Sequence, residues 1–109
     1  GVVRALVRAG SGLFVGGAFL TVGGQPRRSL AEIDAASGVT TAWRADADAD
    51  VFALAAAGST IYAGGVFTSV AGSPRQGLAA ISTAAPAIVS AWAPDTGGRG
   101  MVIIYGVAQ

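Results

Sequence analysis

Apolar and polar positions alternate in short stretches along this chain, and no segment of ten or more residues keeps a clean helical period. Val3 to Ala9 (VRALVRA) predicts a strand, closed by Gly10-Ser11-Gly12, a turn that tolerates positive φ. Leu13 to Gly17 (LFVGG) predicts a second strand, and TVGGQPRR after it a loop. Ser29 to Asp34 (SLAEID) alternates apolar and polar side chains as a half-buried strand does. AASG predicts a turn, and Val39 to Trp43 (VTTAW) a fourth short strand.

The whole series then recurs. Placing Val3 on Val51, an offset of 48, aligns 36 residues without a gap, and 17 of them are identical. The second set of strands reads VFALAAA, IYAGG, GLAAIS and IVSAW. After one inserted residue Ala42-Trp43 falls on Ala91-Trp92 and Asp46 on Asp95, and a third copy opens with MVII at Met101. The chain therefore divides into repeats at 1–50 and 51–100, with the start of a third at 101–109.

Tandem units of four short antiparallel strands predict an all-β fold. The expected architecture is a β-propeller fragment of about two four-stranded blades plus the first strand of a third. A solenoid has a shorter repeat, and a sandwich has no such self-similarity. Small residues in VGGAF and AGGVF suit an inner strand where blades crowd together, and Trp43 and Trp92 are expected to cover the interface between blades. Propellers close with about 4–8 blades. Two blades therefore belong to a larger propeller, or must oligomerise to hide their edge strands. The start at Gly1 and the end in MVIIYGVAQ read as cuts from something longer, and the expected partners are neighbouring blades of the same chain or of a homo-oligomer.

Composition narrows the function classes. Apolar residues make up 52% of the 109 positions and charged ones 12%, too few charges for a disordered chain. Gly, Ser, Thr or a charge breaks every apolar run before about 18 residues, so no membrane span is expected. Seven arginines against six acids, with no lysine, give a net charge of +1 and no clustered basic face for nucleic acid. Without Cys there is no disulfide, thiolate nucleophile or thiolate-held zinc, and without His the commonest general base and metal ligand are missing.

The remaining candidates are weighed by the same chemistry. Gly10, Gly12 and Gly16, with Glu32 and Asp34 about twenty residues on, imitate a dinucleotide fingerprint, but LFVGGAF is a poor helix and Thr60 replaces Gly12 in the second copy. No Gly-Lys-Ser or Gly-Lys-Thr follows a glycine run, which removes the Walker-type phosphate loop. Asp46, Asp48 and Asp50 occupy the first three ligand positions of a calcium loop. Val51 and Ala57, however, stand where that loop needs Gly and an acid, so a solvated loop between blades is the expected reading. Arg27 and Arg75 recur at one repeat position, which points to hydrogen bonds from guanidinium to loop carbonyls more than to an anionic ligand. Serine without His has little to activate it. No catalytic, cofactor-binding or metal-binding residue is assigned, and no cofactor is expected.

LFVGGAFLTVGGQPRRSLAEIDAASGVTTAW resembles the delta-60 repeat, a β-propeller repeat of bacterial secreted and surface proteins. Both copies keep its glycine pair, its Phe (Phe19, Phe67), its Pro-Arg (Pro26-Arg27, Pro74-Arg75) and its tryptophan. The second copy departs at Ser82 and Pro86, where the pattern has Asp and Gly, so its turn is expected to differ. AEIDAASGVTTAW is also similar to the tryptophan-docking motif of quinoprotein propellers. The resemblance implies a non-enzymatic binding or display scaffold that is secreted or on the cell surface. A quinone-dependent oxidoreductase and a carbohydrate-binding propeller are the alternatives.

Overall fold

The computed structural model describes residues 1–84 and 87–90. Within them the protein is all-β, in two three-stranded antiparallel sheets and two small hairpins. The first repeat folds as β1 (Val2–Ala9), β2 (Gly12–Ala18), β3 (Thr21–Val22), β4 (Gln25–Pro26) and β5 (Leu30–Asp34). The second folds as β6 (Val51–Ala57), β7 (Thr60–Gly65), β8 (Ser69–Val70), β9 (Ser73–Pro74) and β10 (Leu78–Ser82). Strand order is β1-β2-β5 in one sheet and β6-β7-β10 in the other, with the second strand of each repeat in the middle.

The repeat seen in sequence is a repeat of backbone bonding. Gly17 N–H donates to Ser29 O, and 48 residues on Gly65 N–H donates to Gly77 O. Ser29 N–H to Phe19 O and Arg27 N–H to Leu20 O are matched by Gly77 to Phe67 and Arg75 to Thr68. Even the bulge recurs, between Val3 and Ala5 in β1 and between Val51 and Ala53 in β6.

Three local features differ from the sequence expectation. TVGGQPRR is not a plain loop, because β3 and β4 pair across Gly23 and Gly24, whose φ values are 56° and 80°. Two successive positive φ angles match the strong twist of a two-residue hairpin. The second hairpin (β8–β9) has Ala71 at φ 51° before Gly72. The expected fourth strands shrink to single bridges, Thr40 on Ile33 and Val89 on Ile81. Val39 O and Thr41 N still bond β5, but Trp43 then turns inward and is fully buried, which ends the ladder. Trp92 lies outside the described residues. The turn after β5 is held by Asp34, whereas in the second copy Ser82 Oγ accepts from Ile88 N–H, as its changed sequence requires; Pro86 also lies outside the described residues.

The sheets stack with their main core between them. Phe14, Leu30 and Trp43 from the first repeat meet Val51, Leu54, Ile61 and Ile81 from the second. Phe14 and Trp43 pack edge to face, ring centroids 4.8 Å apart, and Trp43 Nε1 donates to Ser82 O at 2.8 Å. Close approach needs glycine in the middle strand. A Cβ at Gly16 would stand 2.6 Å from Val51 Cγ1, and one at Gly17 would collide with the Val2 carbonyl oxygen.

A candidate binding cleft beside the first hairpin

Each sheet has a cleft at the end of its middle strand. The first, about 430 Å³, is lined by Ala18, Phe19, Leu20, Arg28, Ser29 and Asp50 among others. The second, about 260 Å³, is lined at the equivalent positions by Val66, Phe67, Thr68, Gln76 and Gly77. Strand geometry makes the cleft. The chain leaves β2 at Ala18, runs out into the hairpin and returns at Ser29, so the two crossings leave a notch above Phe19. Ser29 sits at φ 65°, where the second copy has Gly77 at φ 76°. A non-glycine residue held in that region carries backbone strain of order 1 kcal/mol.

The first cleft is open and its lining is mostly apolar, from Ala18, Phe19, Leu20 and Ala49. The exposed Arg28 and the half-buried Asp50 line it, with the Ser29 hydroxyl between them in chain order. The whole sequence has neither His nor Lys to serve as a base beside that hydroxyl. Among the described residues no group of three metal-ligating side chains comes together.

The residues singled out in sequence are placed as follows. Arg27 is 8% exposed and donates from Nε to Trp43 O (3.2 Å), from Nη1 to Pro26 O (2.7 Å) and from Nη2 to Thr41 O (2.8 Å). Arg75 does the same from Nη1 to Pro74 O (2.5 Å) and from Nη2 to Ser90 O (2.6 Å). Both guanidiniums fasten loop carbonyls of their own repeat, and neither lines either of these two clefts.

The three aspartates do not converge. Asp46 accepts Arg44 Nη2 (2.8 Å) and the Arg28 N–H (3.2 Å). Asp48 accepts the Thr68 and Ser69 N–H groups (2.7 and 3.0 Å) and the Thr68 hydroxyl (2.5 Å). Asp50 alone stands at the cleft. Sequence reasoning read this stretch as a solvated loop, but Ala45 and Ala47 are buried and Ala47 bridges Val70 of the second hairpin. The alternation of Ala with Asp was the available signal for a strand-like segment with one face in and one out. The Thr68 hydroxyl and the two N–H groups hold the Asp48 carboxyl below its ordinary 3.8, and the Ser37 and Ala36 N–H groups do the same for Asp34.

The fingerprint glycines are also structural. Gly10 turns the β1–β2 connection, Gly12 and Gly16 lie within β2, and Glu32 Oε1 accepts the Thr41 hydroxyl at 2.7 Å. Among the described residues no helix is long and apolar enough to cross a membrane. Comparison of the chain with protein-family models, with curated proteins and with solved structures returns no match.

Proposed function

We propose that this chain is a segment of a β-propeller scaffold. In this reading it carries no catalytic group and offers its rim clefts and loops for binding. One observation carries it: two sheets with the same backbone bonding, 48 residues apart, stack front to back and share one core. Such stacking has no internal end, which suits a ring of sheets. The polar side chains agree with a scaffold, since Arg27, Arg75, Asp34 and Asp48 are taken up by backbone groups of their own chain. The secreted or cell-surface setting rests on the resemblance to delta-60 repeats.

Low-resolution electron microscopy of the protein encoded by the complete reading frame tests the architecture. The expected image is a ring of sheets around a channel, and an open stack would sink the reading. The complete reading frame also gives the repeat count. Reduction of a dye by the purified protein with added quinone cofactor would replace the scaffold with an oxidoreductase. A reproducible hit on a glycan array would identify the ligand of the clefts as carbohydrate.

A further inference from the structure

One side of each sheet is covered in the second repeat and bare in the first. Leu6, Val15 and Ala31 are register partners across the first sheet, as Leu54, Ala63 and Ala79 are across the second. On β6, Val51 and Leu54 are 0% and 6% exposed; on β1, their counterparts Val3 and Leu6 are 59% and 58% exposed. Val22 and Ile33, packed beside Val15, are half-buried, whereas Val70 and Ile81 are fully buried. The cover of the second repeat is the other side of the first. Gly16 stands there against Val51 and Leu54, and a Cβ on it would come 2.6 and 3.4 Å from their methyl carbons. A second copy of the chain has no such side to offer. That side of its first sheet holds its own second sheet, and that side of its second sheet is closed as well, with Ala53, Ala55 and Leu78 buried.

We propose that the bare side of the first sheet, with Val3, Leu6, Val22 and Ile33, docks one further sheet of the same repeat type, supplied by the same polypeptide outside these 109 residues. The inference rests on the scaffold reading above and continues the interface that already joins the two repeats. The chemistry of the arriving sheet follows from that interface. Its middle strand needs glycine opposite Val3 and Leu6, as Gly16 stands opposite Val51 and Leu54. Its first strand has to suit Arg4. Arg4 and Phe52 occupy the bulges of β1 and β6, and the Arg4 guanidinium lies 4.9 Å from the centre of the Phe52 ring, a cation over an aromatic face between the two sheets. The arriving sheet sets its own bulge residue beside Arg4, in the relation that Arg4 has to Phe52. A carboxylate or an aromatic ring is attracted there, and a second cation is repelled.

Maleimide labelling of the protein encoded by the complete reading frame, as Leu6→Cys or Val39→Cys, tests it. The two positions are 58% and 62% exposed in the 109 residues. In the whole protein position 6 should label about tenfold more slowly than position 39, or slower still, because only local opening exposes it. Dilution should not change that ratio. Equal rates, or protection that fades on dilution and so comes from a second molecule, would overturn the docking. Hydroxyl-radical footprinting makes the comparison without a substitution. Val3 and Leu6 should be protected and Val39 oxidised, and equal oxidation of all three would overturn the docking too. The reading frame supplies a further check, since one more repeat should have Gly at the Gly16 position and neither Arg nor Lys at the Arg4 position. A frame with no such repeat would count against it. Ring and docking fail separately. An open stack with Leu6 protected sinks the ring and keeps the docking, and a closed ring with Leu6 freely labelled does the reverse.

Discussion

Arg27 holds the carbonyls of Thr41 and Trp43 at the point where a fourth strand would otherwise have to satisfy them. Replacing it with alanine leaves those buried acceptors without a donor, so Arg27→Ala is expected to destabilise by about 2–4 kcal/mol in chemical denaturation. Lysine, a point charge without the planar fork, should recover less than half. Arg75 is more exposed, and its alanine variant should lose about 1 kcal/mol. Recurrence at one repeat position made the role of both arginines legible. Asp48 was not legible, because its partners Thr68 and Ser69 lie 20 and 21 residues further on and an acid in a polar stretch carries no sign of them. Asp48 and Asp34 also set the acid limb of stability. Their folded carboxyls resist protonation below 3.8, while the unfolded chain takes up protons there. The unfolded state thus binds more protons in that window, and stability falls as the pH drops below about 4, being level above about pH 5. Denaturation midpoints measured from pH 2 to 7 should show this fall, and Asp48→Asn should make it shallower.

The hairpins and middle strands are where backbone geometry chooses the residue. Ala71 occupies a left-handed position that Gly23 fills in the first copy. Ala71→Gly is therefore expected to stabilise, by up to about 1 kcal/mol, seen as a raised melting temperature. The opposite change at Gly65 should be costly, because a Cβ there runs into the Asp50 carbonyl oxygen, an atom of the backbone that cannot swing aside. Gly65→Ala should lose about 1–3 kcal/mol. Three strands per repeat and the turn at Gly10 followed from periodicity and turn chemistry. The fourth strand did not survive, since VTTAW carries both a strand pattern and a tryptophan, and burial of the indole drew the chain away from β5 after Thr41. The paired hairpins were hidden for a different reason. Two residues on each arm are too few for an alternation to register, although Gly23-Gly24 in the first was a hairpin signal in its own right.

Between the two repeats the decisive contact is Trp43, which packs on Phe14 of the first and donates to Ser82 O of the second. Trp43→Phe removes the bond to Ser82 O and leaves a void beside Phe14, and should lower stability by about 2–3 kcal/mol. If the sheets fold as one body, circular dichroism and tryptophan fluorescence of the wild-type chain will report one shared transition. Offset 48 in the sequence was enough to foresee two like sheets side by side, but not which face of each would be covered. That depends on the handedness of the stack, which a pattern of apolar letters does not encode. The indole and its acceptor are 39 residues apart, and the indole comes first. A ribosome therefore delivers the first repeat with its tryptophan covered only on the side of Phe14, and the strand ending at Ser82 supplies the acceptor for the indole nitrogen later. The first repeat is thus finished by the second, and a polypeptide halted between Trp43 and Ser82 leaves the indole nitrogen without its acceptor.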